Sequence, residues 1–326
     1  MSWIPASCAL CGARAATKLF AIPSEAAPGG ETHVVRCMTC GLRRLDPRPD
    51  AEAINDFYGS DYYTLEGRTR SPLKQALWDR LRDLSGRDGA PGLGGQVVSA
   101  LAAPVARRVF DVNVVVGDPP PRVLDVGCGF GDLLIYLHQR GCDVLGVDFD
   151  PGAAAIGAEH DVPIAVGDLC DLELEPSSFD VVVMSHSLEH LADPLGALRR
   201  VAQLLRPGGT LHVAVPNGAA PGLDVQQSDW GALCYPVHFW YFDPFTLGSL
   251  LARAGFAVTW AASADIVHHH VVFWRRRIRA APAPGGRELV SAVARRLRTP
   301  LSGDVLRVVA RRAVSDRPPS AEGDLG

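Results

Sequence analysis

Three sets of residues in this chain have types and spacings that could do chemistry. The first is Val123-Leu-Asp-Val-Gly-Cys-Gly-Phe-Gly131, a short apolar run that ends in glycines at 127, 129 and 131 and leads into an apolar helical stretch. Glycine lets the main chain approach a ligand closely at the carboxyl end of a strand, where open α/β sheets bind their ligands. Seventeen residues after Gly131, the segment Gly146-Val-Asp148-Phe149-Asp150 places a carboxylate where a ribose diol would lie, which points to an adenosine-bearing ligand. In a dinucleotide fingerprint the third small position would fall on Asp132, whose charge would oppose a pyrophosphate, so NAD and FAD are disfavoured. A glycine-rich turn also arises for steric reasons alone, and the acid on the following strand is what separates the two readings.

The second set is Cys8-x-x-Cys11 and Cys37-x-x-Cys40, with twenty-five residues between the pairs. Two such knuckles can bring four thiolates to one tetrahedral Zn²⁺ with no open position, which makes a structural site. The gap exceeds the usual ribbon spacing, and a Pro- and Gly-containing loop over 22–30 accounts for the excess. Two disulfides or a redox pair are the competing readings. The third set is imidazole: His186 and His190, with Glu189 between them, follow an apolar run at 179–184, and His238 sits in Tyr235-Pro-Val-His-Phe-Trp-Tyr-Phe242. A side chain with an ordinary pKa of about 6.5 suits proton transfer near neutrality. His238 ranks first because its aromatic neighbours could exclude water; the competing reading is a histidine satisfied inside a packed loop. Glu189 and His190 could equally serve to position their loop. His268, His269 and His270 are consecutive, so on a strand they would point to opposite faces and make a poor metal site.

The elements that must position these residues follow from periodicity. After the Pro-rich break at 118–121, strand-like and helix-like segments alternate: strands at 122–126, 143–147, 163–166, 179–184, 210–215 and 256–260, helices to about 140 and at 153–159, 194–205 and 246–254, and a closing apolar run at 305–310. Such alternation predicts a parallel sheet with helices on both faces. Helical patterns also occur at 51–58, 73–84 and 97–110. An arginine-rich insertion over about 268–302, with Trp274, reads as a solvated cover on the sheet edge or as a peripheral contact for an anionic membrane or phosphate. The tail at 314–326 has the composition of a disordered segment. The resulting division is a zinc-ribbon-like module at 1–48, a helical linker or cap at 49–118, and a main domain at 119–313.

Composition sets the outer bounds. Lys and Arg number 32 against 36 Asp and Glu, a net charge of -4, which gives no global reason to track a phosphate backbone, so nucleic acid is not an expected partner. No apolar run approaches the roughly 20 residues needed to span a bilayer, and the first residues lack a signal-peptide pattern, so a cytoplasmic protein that is not integral to a membrane is expected. In that compartment clustered cysteines favour metal, whereas the scattered Cys128, Cys142, Cys170 and Cys234 read as small buried hydrophobes.

The ordered motifs resemble those of class I S-adenosylmethionine-dependent methyltransferases. Val123 to Gly131 looks like their first motif, Gly146 to Asp150 like the acidic motif after strand two, and Gly167-Asp168 like the acid that meets the adenine amine. The segment 179–190 looks like their fourth strand and its loop, and Leu204-Leu-Arg-Pro-Gly-Gly-Thr-Leu211 like the turn before strand five. The stretch Cys37-Met-Thr-Cys40-Gly-Leu, with Pro47-Arg-Pro and Phe57-Tyr-Gly-Ser-Asp-Tyr-Tyr63, is similar to the zinc-ribbon preamble of a branch that includes sugar C-methyltransferases.

That resemblance implies a doubly wound, Rossmann-like, mostly parallel seven-stranded α/β sheet with a small N-terminal zinc-binding module. It implies S-adenosylmethionine as cofactor and structural Zn²⁺ on Cys8, Cys11, Cys37 and Cys40. The donor would be held by Asp125, Gly127, Cys128, Gly129 and Gly131, with Asp148 and Phe149 at the ribose, Asp168 and Leu169 at the adenine, and Ser185 and His186 beneath the sulfonium. Tyr62 and Tyr63 would cap it. His238 and His190 would serve catalysis on a small-molecule acceptor: a nucleotide-linked sugar, a glycan or a natural product. The alternative is a non-catalytic module of the same fold that recruits a partner through its zinc unit. The oligomeric state is not legible from the sequence.

Overall fold

The computed structural model describes residues 2–50, 53–54, 79, 111–112, 114–264, 301 and 303–313. The helical patterns at 51–58, 73–84 and 97–110 lie almost entirely outside the described residues, as do the arginine-rich insertion, His268 to His270, the tail, Tyr62 and Tyr63.

The N-terminal segment forms short strands: β1 (Trp3–Ile4), β2 (Ala16–Pro23), β3 (Glu31–Cys37), β4 (Arg43–Asp46) and β5 (Arg48–Pro49). The main domain then runs β6 (Arg122–Val126), α1 (Asp132–His138), β7 (Asp143–Asp148), α2 (Pro151–Glu159), β8 (Ile164–Val166), β9 (Phe179–Ser185), α3 (Pro194–Leu204) and β10 (Leu205–Pro216). It continues with α4 (Pro221–Gln226), β11 (Trp240–Tyr241), α5 (Pro244–Arg253), β12 (Phe256–Ala264) and β13 (Val305–Arg312). The predicted alternation is present, with boundaries moved by a few residues: α1 stops at His138 and β12 runs on to Ala264.

The main sheet has seven strands in the order β12-β13-β10-β9-β6-β7-β8. Strands β8, β7, β6, β9 and β10 are parallel, and β13 is antiparallel to both neighbours. The parallel strands are covered on both faces, which is why Val123, Leu124, Val126, Val181 to Met184 and Val213 to Val215 form nearly unbroken apolar runs. From β6 the chain winds outward to β7 and β8, then returns to lay β9 on the other side of β6. The topological switch, and with it the natural ligand crevice, is therefore at the carboxyl ends of β6 and β9. The helices start where short side chains accept from their first turns: Asp150 from the Gly152 amide, Asp193 from the Gly196 amide, and Asp243 from the Thr246 amide in a reciprocal capping box. Of the scattered cysteines, Cys142 is buried as expected, but Cys128 is only half-buried and Cys170 and Cys234 are exposed, because the last two stand in a turn and a loop outside the apolar strand runs. Among the described residues no helix is long and apolar enough to cross a membrane.

The N-terminal segment does not stand apart. A second sheet runs β11-β4-β3-β2, so a strand of the main domain forms its edge, with Trp240 opposite Arg44 and Tyr241 opposite Arg43. Cys8, Leu10, Cys37 and Leu42 share one apolar core with Leu124, Phe179, Trp240 and Phe242. Arg44, with 0% exposure, ties the join together. Its guanidinium donates to the carbonyls of Ala6 (3.1 Å) and Arg14 (3.0 Å) and to Asp46 Oδ2 (3.3 Å), while Asp46 Oδ1 accepts from the Ala6 amide (3.0 Å). Removing this cation strands two carbonyls and a carboxylate in a water-poor site. Arg44→Met is therefore expected to lower the unfolding free energy by roughly 2–4 kcal/mol, read from urea denaturation; an unchanged midpoint would show that the join does not depend on it.

Candidate functional site

At the end of β6 the chain enters the glycine loop with φ of +73° at Gly127, +52° at Gly129 and +71° at Gly131. These are left-handed torsions that side-chain-bearing residues rarely adopt. Gly127 also needs to be glycine for space, since a Cβ there would lie 2.5 Å from the Cβ of Ser187. The loop is pinned to β7: the Gly127 and Cys128 amides donate to the Val147 carbonyl (2.8 and 3.2 Å) and the Gly129 amide to Asp148 Oδ2 (2.7 Å). The other oxygen of Asp148 accepts from the Asp150 amide (3.0 Å). The carboxylate that sequence places at a ribose thus also braces the glycine loop, and it is buried, as is Asp125. Beside it Phe149 keeps 55% of its surface exposed, an apolar ring at the mouth of the crevice.

The next segment closes in from β8. The Gly167 amide donates to the Asp148 carbonyl (2.9 Å), which brings Asp168 and Leu169 to the same edge. Leu169 is buried; Asp168 is exposed and accepts from the Cys170 amide (2.8 Å), so it shapes a turn there as well. From β9, half-buried Ser185 leads into His186, whose φ of +55° is unusual for a histidine and is held by an amide bond to the Ala214 carbonyl (2.8 Å).

Around His186, Glu189 and His190, which are close in sequence, the structure brings in His238 and Asp111 from distant segments. Glu189 is 0% exposed. His186 Nδ1 approaches its Oε1 at 3.3 Å, and His238 Nε2 lies 3.8 Å from the same oxygen. His186 Nε2 reaches Asp111 Oδ2 (3.1 Å), and the rings of His190 and His238 meet edge-on with centroids 4.6 Å apart. Burial alone would raise the Glu189 carboxyl, but His186, His190 and His238 outweigh it and hold the group at about 2. Burial, against the pull of Glu189, lowers His238 to about 3 and also lowers His190. For His186 burial works in the same sense, yet the bonds to Asp111 and Glu189 prevail and raise it to about 10. The Glu189 carboxylate therefore faces, in His186, an imidazole that keeps its charge at neutral pH. The dry aromatic wall expected beside His238 is present, with Phe239, Trp240, Tyr241 and Phe242 all buried.

The four clustered cysteines converge as their spacing predicts. All four sulfurs lie within 4.8 Å of one another, with Cys8 and Cys40 3.4 Å apart and Cys11 and Cys37 3.5 Å apart. A tetrahedral ion with bonds of about 2.3 Å holds its sulfurs about 3.8 Å apart, so the set fits Zn²⁺. The two knuckles repeat the same turn, the Gly12 amide donating to the Cys8 carbonyl (2.7 Å) and the Gly41 amide to the Cys37 carbonyl (3.0 Å).

Of the residues singled out from sequence, those at 125–131, 148–149, 168–169 and 185–186 share one edge of the sheet, and His190 and His238 share the adjoining cluster. Sequence reasoning gave Glu189 only a loop-positioning role and did not single out Asp111 or Ser187. Asp111 is 75 residues from His186 and carries no local signal.

Comparison with known proteins adds an independent line. A family model described as a methyltransferase domain matches residues 79–260, over half of the chain. The chain is similar to the ubiquinone biosynthesis O-methyltransferase of Xanthomonas campestris pv. campestris (strain B100), 33% identical over 186 residues, covering 53% of this chain and 75% of that protein. It is also similar to the demethylmenaquinone methyltransferase of Corynebacterium efficiens, 35% identical over 96 residues, 29% of this chain and 42% of that one. A solved S-adenosylmethionine dependent methyltransferase from Mesorhizobium loti aligns with 68% of this chain and 100% of its own, at 24% identity and a TM-score of 0.43.

The tight contact at the loop gives a direct test of the crevice. In Gly127→Ala both the torsion and the clash with Ser187 displace the loop, so affinity for S-adenosylhomocysteine is expected to fall ~tenfold or more by calorimetry; unaltered affinity would remove the loop from the donor site.

Proposed function

Because this chain belongs to the methyltransferase-domain family and is an S-adenosylmethionine-dependent methyltransferase, we propose that it methylates a small polar acceptor, a nucleotide-linked sugar, glycan or natural product, at an ionisable oxygen or acidified carbon. The alternative of a non-catalytic module gives way to family membership. The observation that supports the acceptor reading is the adjacency of two differently built groups of residues. The Asp148-braced glycine loop suits an adenosyl group, and Ser187, which touches Gly127, leads directly into the Glu189, His190 and His238 cluster. Asp125, Cys128, Gly129, Gly131, Phe149, Asp168, Leu169, Ser185 and His186 complete the proposed donor site.

In the reaction the acceptor gives up a proton, its lone pair attacks the sulfonium methyl in line, the carbon–sulfur bond breaks, and S-adenosylhomocysteine leaves. The donor is already activated, so the chain must chiefly align the two partners, exclude water and remove one proton. The aromatic wall at 239–242 supports the second task, and the cluster, with His238 and His190, the third. Relatives named as ubiquinone biosynthesis O-methyltransferases favour an oxygen on the acceptor. His238→Ala is expected to slow turnover ~100-fold or more while donor affinity stays within a few fold, measured as S-adenosylhomocysteine formed over a panel of such acceptors. Equal turnover in the variant would take His238 out of the reaction.

Zinc on Cys8, Cys11, Cys37 and Cys40 belongs to the same proposal, in a structural role. Its influence reaches the cluster through the backbone, since β4 of the cysteine module donates from the Leu45 amide to the Phe239 carbonyl (2.9 Å) and the Phe239 amide donates to the Glu189 carbonyl (2.9 Å). Elemental analysis should find one zinc per chain in the wild type and none in Cys37→Ser, with the variant melting several degrees lower. Metal-free wild-type protein of unchanged melting temperature would count against the module.

A further inference from the structure

Arg43, Arg44 and Arg48 follow one another along β4 and β5 of the cysteine module. The first two are matched by acids, Arg43 by Asp224 at 2.9 Å and Arg44 by Asp46 at 3.3 Å. Arg48 has no such match among the described residues. We propose that its guanidinium receives an oxyanion carried by the acceptor, a phosphate ester or a carboxylate, and so selects acceptors that bear one.

Three observations carry the site. The first is an unbalanced cation in a sheltered place. Arg48 is half-buried; its Nη1 donates to the Pro49 carbonyl at 3.3 Å, while its Nε is shielded from solvent and has no hydrogen-bond partner. The acids two residues to either side are engaged elsewhere, Asp46 with Arg44 and the Ala6 amide (3.0 Å) and Asp50 with the Ala53 amide (2.9 Å). Burial lowers the pKa of Arg48 despite the pull of Asp50, and arginine is seldom taken from water unless an anion balances it. A planar fork of N–H groups is the geometry that takes phosphate or carboxylate two bonds at a time.

The second observation is the place. The guanidinium lies 4.6 Å from the centroid of the Phe239 ring and 6.0 Å from that of Trp240. The Phe239 amide donates to the Glu189 carbonyl (2.9 Å) and the Trp240 indole to the Leu191 carbonyl (2.8 Å). The two residues beneath Arg48 are thus fastened on either side of His190, beside the cluster that serves the acceptor in the methyl-transfer reading, on which this inference rests. The third is rigidity. Arg48 stands between Pro47 and Pro49, and a residue before proline is held to extended backbone. Strand β5 pairs with β1, Ile4 opposite Arg48, and Trp3 of β1 stacks on Tyr235 with ring centroids 6.3 Å apart. The ribbon therefore grips the 235–240 stretch at both ends, and a charge already held in place loses little freedom when its ligand arrives.

The test is calorimetric titration of the full-length protein with sodium pyrophosphate and, separately, with sodium malonate. At least one of them is expected to fill one saturable site per chain, with affinity that falls as salt is added. Arg48→Met keeps an apolar stem over Phe239 and removes the charge, so it should weaken that binding ~tenfold or more; Arg48→Gln should do the same if the first variant unfolds. Binding of pyrophosphate alone assigns a phosphate ester, of malonate alone a carboxylate, and of both a site that accepts either. No saturable site for either anion in the wild type, or wild-type affinity in a folded neutral variant, would overturn the proposal. In steady-state assays over the acceptor panel, the substitution should raise KM for acceptors that carry an oxyanion while kcat, and KM for neutral acceptors, stay within a few fold; an unchanged KM for the charged ones counts against Arg48. Titration of the same samples with S-adenosylhomocysteine keeps the two readings apart. Donor binding without an oxyanion site defeats the role of Arg48 alone, whereas oxyanion binding lost on substitution of Arg48, in protein that takes no donor, upholds the site and counts against the methyl-transfer reading.

Discussion

Glu189 lies without solvent exposure between three imidazoles, and a buried carboxylate is stable only where positive charge or good donors surround it. The carboxyl end of β9 is arranged around that requirement. His186 turns into a left-handed conformation to bring Nδ1 toward the acid, Asp111 braces the far side of the same ring, and His190 and His238 approach from a 3-10 turn and from the loop before β11. His186 and His190 belong to the same short stretch as the acid, whereas Asp111 and His238 come from distant ones. The acid thereby links the main sheet to the loop that carries the aromatic wall.

A second dependence runs through backbone rather than charge. Phe239 accepts from Leu45 of the cysteine module and donates to Glu189 of the cluster, and the guanidinium of Arg48 covers the Phe239 ring at 4.6 Å. A small module held by four cysteines has too few apolar residues for a core of its own. Here it takes Trp240 and Tyr241 as an edge strand and shares the main domain's core. The module and the 239–241 segment therefore share a sheet, backbone hydrogen bonds and a core.

The glycine-loop corner is simpler and more local. Strand β6, the glycines and Asp148 lie within a few tens of residues, and each hydrogen bond in that corner joins neighbours in the sheet. Such a corner tolerates little variation in the loop, because main chain itself forms its floor.

That difference in range explains what could be read in advance. The alternation of strands and helices, the glycine loop, the acid on the second strand and the pairing of the two knuckles are written in short spacings, and periodicity, steric permission and ligand chemistry act over short spacings. Sequence alone therefore determined the fold class, the glycine loop beside the acid of the second strand, and the convergence of Cys8, Cys11, Cys37 and Cys40. It also suggested His190 and His238 without a reason for them to meet. Only tertiary structure put Glu189 between them, set Asp111 against His186 across 75 residues, and gave the cysteine module an edge strand from the main domain. Those contacts depend on how crossovers fold back over a twisted sheet and on which cores merge, and no local pattern of residues carries that information.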